Sequence, residues 1–544
     1  MAWKSWLKTC GEHAIPAEID PDEHRSVVEM LEVAAKLHAD RPAFRCFGQV
    51  LTFGDVDRLS RDFAAYLQTA LAVKKGDRVA IMLPNFPAFP IASLGILRCG
   101  AVQVNVNPLY TPRELEHQLQ DAGAQIVVIF AGATPTLAGI VEKTPVDWVI
   151  TVNPGDGTGA SVPGPAVDPR LENAIGMAEA LARGAAMPFT PVELGGDDLL
   201  FLQYTGGTTG ISKGAALSHR NLVANTAQFK AFMPGLTQAG EHVVVTALPL
   251  YHVFALMVNF ISYFSLGAEN WLVPNPRDMD SFVEVLKAAR PTVLTGVNTL
   301  FDGLARHPRI REVDFSRLRG AIGGGAAVIR ATSDRWKAIT GKHVLEGYGL
   351  SETSPVLTLN PDQGEFSGTV GLPLPSTDIK LLDANDAEVA LGQAGEICAK
   401  GPQVMKGYWQ KPDANRAAFT SDGYFRTGDI GIFDESGRIR IVDRKKDMII
   451  VSGFNVYPNE VEAVAAGCAG VAECACVGAP DERTGEQVKL FVVRLPGAAL
   501  ADSDVVAHCR RELAAYKVPR QVVFLDALPK SPVGKILRRD LRTR

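Results

Sequence analysis

The first 140 residues alternate between two kinds of apolar pattern. Short apolar runs at Asp77–Leu83 and Gln125–Phe130 are typical of buried strands. The segments Val56–Leu71 and Pro112–Ala122 are typical of helices. This alternation predicts α/β layers around a largely parallel sheet, and it returns from Leu199 to about Gly341.

The second half of the chain has a different pattern. From Thr369 to about Val442, short apolar runs separated by Gly and Pro predict a β-rich subdomain. Beyond the charge cluster Arg444–Asp447, a helix–strand–strand–helix pattern of about 100 residues is long enough for a small α+β domain. We therefore expect a large multi-subdomain α/β body at residues 1–443 and a small mobile C-terminal domain at residues 444–544.

One apolar stretch is long enough to be weighed as a membrane span. Val243–Gly267 contains no Asp, Glu, Lys or Arg. However, Pro249, His252 and Asn259 interrupt it, and it opens with a β-like run, so a buried strand–turn–helix is favoured. The N-terminus has neither a long apolar core nor a small-residue cleavage site, so no signal peptide is expected. These features predict a cytoplasmic protein and leave peripheral contact with the inner face of the membrane open.

Composition, net charge and cysteine spacing indicate which broad classes of protein fit this chain. At 544 residues the chain is too long for one ordinary domain, and its 47% apolar and 21% charged residues are typical of a soluble globular protein. A net charge of -5 gives no support to a nucleic-acid-binding function. The eight cysteines are scattered without the paired clusters of a zinc site, so we expect reduced thiols.

The segment Leu202–Gly214 is the most informative part of the sequence. Its glycines allow several backbone N–H groups to converge, while threonine hydroxyls and Lys213 add donors and positive charge, which suits a polyphosphate. It is not a Walker A loop, because Lys213 is followed by Gly214 instead of Ser or Thr. The residues predicted to bind phosphate are Thr205, Gly206, Gly207, Thr208, Thr209, Gly210 and Lys213.

The pattern Tyr-Thr-Gly-Gly-Thr-Thr-Gly-x-x-Lys-Gly at residues 204–214 resembles the phosphate loop of the adenylate-forming superfamily. That superfamily includes acyl-CoA synthetases, firefly luciferases and peptide-synthetase adenylation domains. The chain resembles this superfamily motif by motif and in the same order, from about Leu51 to Lys535. The resemblance implies a first half-reaction in which a carboxylate and Mg²⁺-bound ATP give acyl-AMP and pyrophosphate.

Glu346–Glu352 resembles the superfamily's Y-G-x-T-E element, with Ser351 in place of the usual Thr and its hydroxyl retained. Tyr348 offers an aromatic face on which adenine can stack, and Gly349 permits a close approach. Glu352 supplies a hard oxygen ligand for Mg²⁺.

The remaining ATP-site candidates lie further along the chain. Gly324 and Gly325 belong to a segment that looks like the adenine pocket, where missing side chains make room for a base. Asp429 and Arg444 match the two ribose contacts, since a carboxylate accepts two hydrogen bonds from a vicinal diol. Lys535 matches the catalytic lysine that lies between the acyl carboxylate and the α-phosphate. The arginines that follow are expected to be mostly solvated: Arg538, Arg539, Arg542 and Arg544.

The segment Leu248–Ala255 resembles the part of the superfamily that forms the acyl pocket. His252 falls near the carboxylate entrance, but a lone histidine among apolar residues is more often a packed core residue. Both interpretations of His252 stay open. The acyl-pocket candidates are Tyr251, His252, Phe254 and Val297.

The second half-reaction is implied by the segment Asp443–Glu462, which looks like the hinge and pantetheine tunnel of acyl-CoA synthetases. Lys446 matches the hinge position. Gly453, followed by Phe454, falls where a side chain would block a thiol approaching the adenylate. Coenzyme A is therefore the expected acceptor.

Three stretches are similar to bacterial long-chain fatty-acid–CoA ligases: Val104–His117, Gly296–Phe301 and Val451–Pro458. Asn298, where much of the superfamily has Pro, points to the same branch. The resemblance implies a ligase with Mg²⁺ as cofactor and with ATP, a long-chain fatty acid and coenzyme A as substrates.

Several alternatives stay open at this point. Within the superfamily, the acid could be medium-chain or aryl, or the acceptor could be an acyl-carrier protein. A non-enzymatic acyl-AMP or lipid-binding protein is disfavoured because Lys535, Glu352 and Asp429 occur together. A luciferase would share the adenylating residues, and no feature favours it. Homodimer formation is also left open.

Overall fold

The computed structural model describes residues 4–160, 162–205, 212–362, 365–452, 454–530 and 536–542. Its strands, numbered β1 to β26 in chain order, are Pro42–Cys46, Gln49–Thr52, Arg78–Met82, Val102–Asn105, Ile126–Phe130, Trp148–Val152, Ala174–Gly176, Leu199–Thr205, Lys213–Ser218, Val243–Thr246, Glu269–Leu272, Val293–Gly296, Gly320–Gly323, Val344–Gly349, Val356–Leu359, Leu372–Pro373, Asp378–Leu382, Gly395–Lys400, Gly407–Tyr408, Phe425–Phe433, Ile439–Arg444, Ile449–Val451, Phe454–Val456, Val471–Asp481, Gly485–Arg494 and Gln521–Phe524.

The helices alternate with these strands over most of the chain. Numbered α1 to α16, they are Ser5–Glu12, Val27–Leu37, Phe53–Ala70, Ala88–Arg98, Pro112–Ala122, Thr134–Ala138, Met177–Gly184, His219–Phe232, Tyr263–Ser265, Met279–Ala289, Asn298–Arg306, Arg330–Thr340, Pro412–Ala418, Pro458–Ala465, Asp502–Glu512 and Arg538–Arg542. A π-helix at Ala255–Ser262 precedes α9.

Two large, mostly parallel sheets form the body of the chain. One has eight strands in the order β19-β9-β8-β4-β3-β5-β6-β7, and its strands from β8 to β7 run parallel. The other has nine strands in the order β16-β15-β14-β13-β12-β10-β11-β1-β2, with antiparallel pairs at its two ends. Strands such as β3 and β5 are apolar almost throughout because parallel sheets are covered on both faces. The predicted α/β class is confirmed.

Helix α5 shows how local sequence sets the bounds of an element. The Thr111 backbone N–H donates to Glu114 Oε2 (2.9 Å) and the Glu114 N–H donates to Thr111 Oγ1 (3.4 Å), a reciprocal capping box. Pro112 occupies the first helical position, where its missing N–H costs nothing. At the other end, Gly123 adopts a left-handed conformation with φ of 64° and stops the helix. The structure matches the predicted bounds of Pro112–Ala122.

The apolar stretch Val243–Gly267 is part of the protein interior. It forms β10, a turn and the fully buried π-helix, as predicted. The Asn259 amide donates to Thr246 Oγ1 (2.8 Å), and Asn259 Oδ1 accepts from Thr295 Oγ1 (3.0 Å). The Asn259 side-chain amide therefore has hydrogen-bond partners on neighbouring strands, as a buried amide requires. Across the described ranges, no helix combines the length and apolar character that crossing a bilayer needs.

The packing divides the chain into two compact units. One comprises Trp6–Asp378 with Lys400–Phe419 and contains both large sheets. The other comprises Ile379–Ala399 and Thr420–Arg544 together with the start of the chain. It contains an antiparallel sheet in the order β17-β18-β20-β21 and a second sheet in the order β23-β22-β25-β24, with β26 beside β25.

The division of the chain into these units does not fall at residue 443. The four-stranded sheet of the expected β-rich subdomain groups with the C-terminal segment, whereas the expected domain boundary lies between residues 443 and 444. That boundary concerns which part moves during a reaction, and it stays a prediction.

Candidate active site

The predicted phosphate segment connects two antiparallel strands. β8 and β9 pair as the two strands of a hairpin, with Thr205 opposite Lys213. The β-like runs expected on both sides of the segment are confirmed. Five of the predicted phosphate ligands lie outside the described residues: Gly206, Gly207, Thr208, Thr209 and Gly210.

Tyr408 brings two of the predicted catalytic residues together. Strand β19 pairs with β9, which places Tyr408 opposite Ala215. The Tyr408 hydroxyl donates to Glu352 Oε1 (2.9 Å), and Lys213 Nζ lies 5.1 Å from the centroid of the Tyr408 ring. A lysine over an aromatic face is attracted to it electrostatically. Lys213 and Glu352 therefore share one aromatic neighbour that sequence reasoning did not identify.

This contact fixes the Glu352 carboxylate. Glu352 is only 7% exposed, and its backbone carbonyl accepts a hydrogen bond from the Met405 N–H (2.8 Å). Burial, with the neighbouring charge of Glu352, raises the pKa of the Tyr408 hydroxyl above its usual value, so the hydroxyl stays a donor. The result is a pre-oriented carboxylate whose hard oxygens suit a divalent cation.

The two glycines of the predicted adenine pocket lie beside two predicted acyl-pocket residues. A Cβ placed on Gly324 would lie 3.1 Å from Phe254 Cε1. Gly325 has a φ of 74°, and a Cβ there would lie 3.8 Å from Val297 Cγ1. A side chain at Gly324 would thus crowd Phe254, and one at Gly325 would strain the backbone.

Tyr348 and Gly349 end β14, which pairs with β15, and Ser351 begins the short 3₁₀ turn that contains Glu352. A Cβ placed on Gly349 would lie 1.8 Å from the Pro355 carbonyl oxygen. The close approach that requires glycine here is therefore to the chain's own backbone.

Glu346, at the head of this motif, is a further residue that the motif comparison passed over. Its Oε1 accepts a hydrogen bond from the Val328 N–H (3.1 Å), which ties β14 to the segment after Gly325. Burial raises the pKa of Glu346 to about 8. The motif comparison treated Glu346 only as a flanking position, and no local pattern reveals its burial.

The segment of Tyr251 and His252 is held by backbone and side-chain hydrogen bonds. The Gln203 Nε2 amide donates to the Tyr251 carbonyl (3.2 Å), and burial raises the pKa of the Tyr251 hydroxyl to about 12. His252 Nδ1 accepts from the Phe254 N–H (3.3 Å). Both interpretations of His252, as a packed residue and as a substrate contact, stay predictions.

In the unit that contains Thr420–Arg544, the two predicted ribose contacts lie side by side. Asp429 on β20 is directly opposite Arg444 on β21, and Arg444 Nε lies 3.0 Å from Asp429 Oδ1. Two residues 15 positions apart in the sequence are therefore joined by strand pairing.

The predicted hinge follows immediately. Lys446 is half-buried, and burial lowers its pKa to about 8. Its carbonyl accepts a hydrogen bond from the Arg542 guanidinium (3.1 Å). Phe454 is 58% exposed and stacks on Tyr516 with ring centroids 5.0 Å apart. Gly453 and Lys535 lie outside the described residues.

Comparison with known proteins shows the family of this chain. Residues 31–409 match the family described as AMP-binding enzyme, and residues 460–535 match the AMP-binding enzyme C-terminal domain. This chain belongs to the AMP-binding enzyme family. It is 51% identical over 541 residues to a long-chain-fatty-acid–CoA ligase of Salmonella typhimurium, covering 97% of this chain and 96% of that protein.

Two solved structures share the fold of this chain. ATP-bound MatB from Rhodopseudomonas palustris has a TM-score of 0.82 and 33% identity, covering 94% of this chain and 98% of that one. The anthranilate CoA ligase AuaEII in complex with anthranoyl-AMP has a TM-score of 0.87 at 23% identity, covering 96% and 98% of the two chains. At that identity the second likeness concerns the fold alone.

The expectation for the C-terminal arginines of this AMP-binding enzyme is wrong for Arg538. Arg538 is 16% exposed and lies within 3.3 Å of Asp443, 3.6 Å of Asp447 and 2.7 Å of Glu462. Arg542 lies 3.0 Å from Asp447 but is exposed, as expected.

The physical reason is that the three carboxylates are themselves largely buried, and buried charges need partners. Burial raises the pKa of Asp443, and the Arg538 charge opposes that shift. Arg539 is 68% exposed, as expected, and Arg544 lies outside the described residues.

Arg538→Met should therefore destabilise the C-terminal unit of this AMP-binding enzyme. Removing one partner of a buried charge cluster costs about 3–5 kcal/mol. Arg539→Met is the matched control, because Arg539 is adjacent to Arg538, carries the same charge and is exposed. This substitution should change the free energy of unfolding by less than about 0.5 kcal/mol. Chemical denaturation of both variants measures the difference. Equal stability of the two variants would show that the cluster contributes nothing.

Proposed function

We infer that this AMP-binding enzyme is a long-chain fatty-acid–CoA ligase. It converts a fatty acid, ATP and coenzyme A to acyl-CoA, AMP and diphosphate through an acyl-adenylate. The observation that carries the adenylation step is the contact of both Lys213 and Glu352 with Tyr408 at the base of the phosphate hairpin. The choice of acid follows the similarity to proteins that carry this name over nearly their whole length.

In the first half-reaction, a carboxylate oxygen of the fatty acid attacks the α-phosphorus of ATP. The bond from that phosphorus to the bridging oxygen breaks, and pyrophosphate leaves. Lys213 and the hairpin hold the phosphates, where fixed positive charge and donors stabilise the developing negative charge. Lys535 contributes a further positive charge at the α-phosphate. Tyr348 with Gly324 and Gly325 accepts the adenine, as the motifs imply.

Asp429 and Arg444 serve the ribose in this proposal. Asp429 lies on the edge of the β20–β21 pair with Arg444 beside it, so its carboxylate keeps a fixed orientation. A carboxylate held in this way accepts hydrogen bonds from both ribose hydroxyls.

In the second half-reaction, the sulfur of coenzyme A attacks the acyl carbonyl carbon, the thiol proton is lost and AMP leaves. Gly453 provides the passage for the thiol, and Phe454 lies next to it in the sequence. Lys535 and Gly453 both belong to residues 444–544, and they are needed in different steps. We therefore assign residues 444–544 as a domain that rotates about Lys446 between the steps.

The proposal includes Mg²⁺, which neutralises phosphate charge when bound. The donor chemistry fits, because Glu352 presents a carboxylate in a fixed orientation and a carboxylate has lone pairs beyond the one that accepts from Tyr408. A cytoplasmic location belongs to the proposal. Homodimer formation and peripheral contact with the membrane stay predictions.

A panel of acids from short to very long tests the reaction and its substrate. We expect CoA-dependent release of AMP to be fastest with long-chain fatty acids and to require both ATP and coenzyme A. Faster turnover of medium-chain or aryl acids would contradict the choice of acid. Release of pyrophosphate with no acyl-CoA formed would point to a carrier-protein acceptor instead.

Glu352→Gln should raise the Mg²⁺ concentration needed for half-maximal adenylation. The substitution keeps the shape of the side chain and its bond from Tyr408 but removes the charge that attracts the cation. Titration of Mg²⁺ in an ATP–pyrophosphate exchange assay at saturating fatty acid measures the change. An unchanged Mg²⁺ dependence would mean that Glu352 is not a ligand.

Lys446→Pro should leave adenylation largely intact and abolish thioester formation from supplied acyl-AMP. Proline fixes φ near about −65°, so the hinge keeps one arrangement. Lys535→Ala should show the reverse, because its charge is needed only in the first step. The two half-reactions are assayed separately by pyrophosphate exchange and by acyl-CoA formation.

Lys446→Ala is the control for the hinge, since it removes the charge and leaves the backbone free. It should impair thioester formation much less than Lys446→Pro. Near-wild-type rates for Lys446→Pro in both half-reactions would place the hinge elsewhere.

A further inference from the structure

Helix α5 contacts both ends of the phosphate hairpin. His117 Nε2 lies 3.0 Å from the carbonyl oxygen of Ser212, the residue before Lys213. One turn later, Asp121 Oδ2 accepts a hydrogen bond from the hydroxyl of Tyr204 (2.8 Å), the residue before Thr205. Positions four residues apart share one face of a helix. A single face of α5 therefore contacts the hairpin on both sides of the segment that connects its two strands.

Asp121 also reaches a third segment. Its Oδ1 pairs with the Lys411 ammonium, and Lys411 follows strand β19. On the same segment, the Trp409 N–H donates to the Gly214 carbonyl (2.8 Å), and Tyr408 touches Lys213 and Glu352. The α5 face therefore holds the hairpin together with the strand that orients the Glu352 carboxylate.

The opposite face of α5 packs into the protein interior. Leu115 and Leu119 are fully buried, and the Gln118 Nε2 amide donates to the Asn105 carbonyl (2.8 Å). The capping box at its start fixes the first turn. The helix is therefore anchored by contacts that do not involve the hairpin.

The contact between Tyr204 and Asp121 is also constrained from the hairpin side. Burial, followed by the bond to Asp121, raises the pKa of the Tyr204 hydroxyl above its usual value, so it remains a donor. A Cβ placed on Gly214 would lie 3.0 Å from the Tyr204 ring. The ring thus lies directly against the second strand of the hairpin and links its two strands.

We propose that His117 and Asp121 are positioning residues for the triphosphate of ATP. They fix the two ends of the hairpin so that Lys213 keeps its place before ATP arrives. Donors and charges held in advance need no reorganisation during reaction, and a displacement of about 1 Å can cost on the order of 100-fold in rate. The inference rests on the proposed function, because it takes the hairpin to be the phosphate site. It also gives a role to the stretch Val104–His117, whose function the motif comparison left unassigned.

The alternative is that α5 only supports the fold. A general loss of structure would affect ATP and the fatty acid alike, whereas a displaced phosphate hairpin should affect ATP selectively. The KM for each substrate therefore separates the two roles.

The test uses ATP–pyrophosphate exchange by the full-length enzyme with a long-chain fatty acid. His117→Ala should raise the KM for ATP about 10-fold, as expected for loss of one hydrogen bond. The KM for the fatty acid and the rate of thioester formation from acyl-AMP should stay within about 2-fold of wild type. His117→Gln should restore the KM for ATP, because its Nε2–H can donate to the Ser212 carbonyl in place of the imidazole.

Glu116→Gln is the matched control on the same helix and should match wild type in every constant. Tyr204→Phe tests the other end of the hairpin, since it removes only the hydroxyl that donates to Asp121. It should also raise the KM for ATP selectively, and it is conservative enough to fold if His117→Ala does not.

Three outcomes would overturn the inference. They are a proportional rise in the KM for the fatty acid, an equal defect in His117→Gln and His117→Ala, and wild-type constants in both His117→Ala and Tyr204→Phe. Each leaves the proposed function standing as long as the wild-type enzyme catalyses the exchange. Absence of exchange in the wild-type enzyme would instead overturn the proposed function.

Discussion

The hydrogen bond between the Tyr408 hydroxyl and the Glu352 carboxylate is the contact on which the candidate site depends. Tyr408 belongs to the edge strand of the eight-stranded sheet, and Glu352 follows a strand of the nine-stranded sheet. The bond therefore joins the two sheets at the place where Lys213 lies over the Tyr408 ring. Burying a carboxylate is costly, and a charge-assisted hydrogen bond offsets part of that cost. In the proposed function, this carboxylate holds the cation beside the triphosphate.

The unit that contains Thr420–Arg544 also has buried carboxylates that require partners. Arg538 lies among Asp443, Asp447 and Glu462, and each charge in that cluster has a partner. The cluster connects the helix that follows the Lys535 segment to the predicted hinge, and Arg542 adds a bond to the Lys446 carbonyl. Buried charge in both units thus holds segments with predicted site residues in defined positions. Such clusters tolerate loss of one member poorly, since the remaining charges lose their compensation.

Local patterns in the sequence predict the parts of this structure that local forces determine. The bounds of α5 follow from Thr111, Pro112 and Gly123, and the strands around the phosphate segment follow from their apolar runs. The mostly parallel character of the two large sheets follows from the alternation of strands and helices. Asp429 and Arg444 were named by resemblance, and their pairing across β20 and β21 has a simple geometric cause.

Contacts between distant segments carry no local signal. Tyr408 lies on a two-residue strand and is 56 positions from Glu352, so no periodicity indicates their contact. Arg538 belongs to an arginine run that is typical of a solvated tail, yet its partners Glu462 and Asp443 lie 76 and 95 positions away. Glu346 looks like an ordinary polar position until the strand around it is buried. In each case tertiary packing decides the role of a side chain.

A double-mutant cycle on Tyr408→Phe and Glu352→Gln tests the central claim most directly. The quantity measured is kcat/KM for ATP in pyrophosphate exchange, for the wild type, both single variants and the double variant. If Tyr408 acts by orienting the Glu352 carboxylate, the double variant should be little worse than Glu352→Gln alone, with a coupling free energy of at least about 1 kcal/mol. Strictly additive losses would contradict the account, because they would show that the two side chains contribute independently to adenylation.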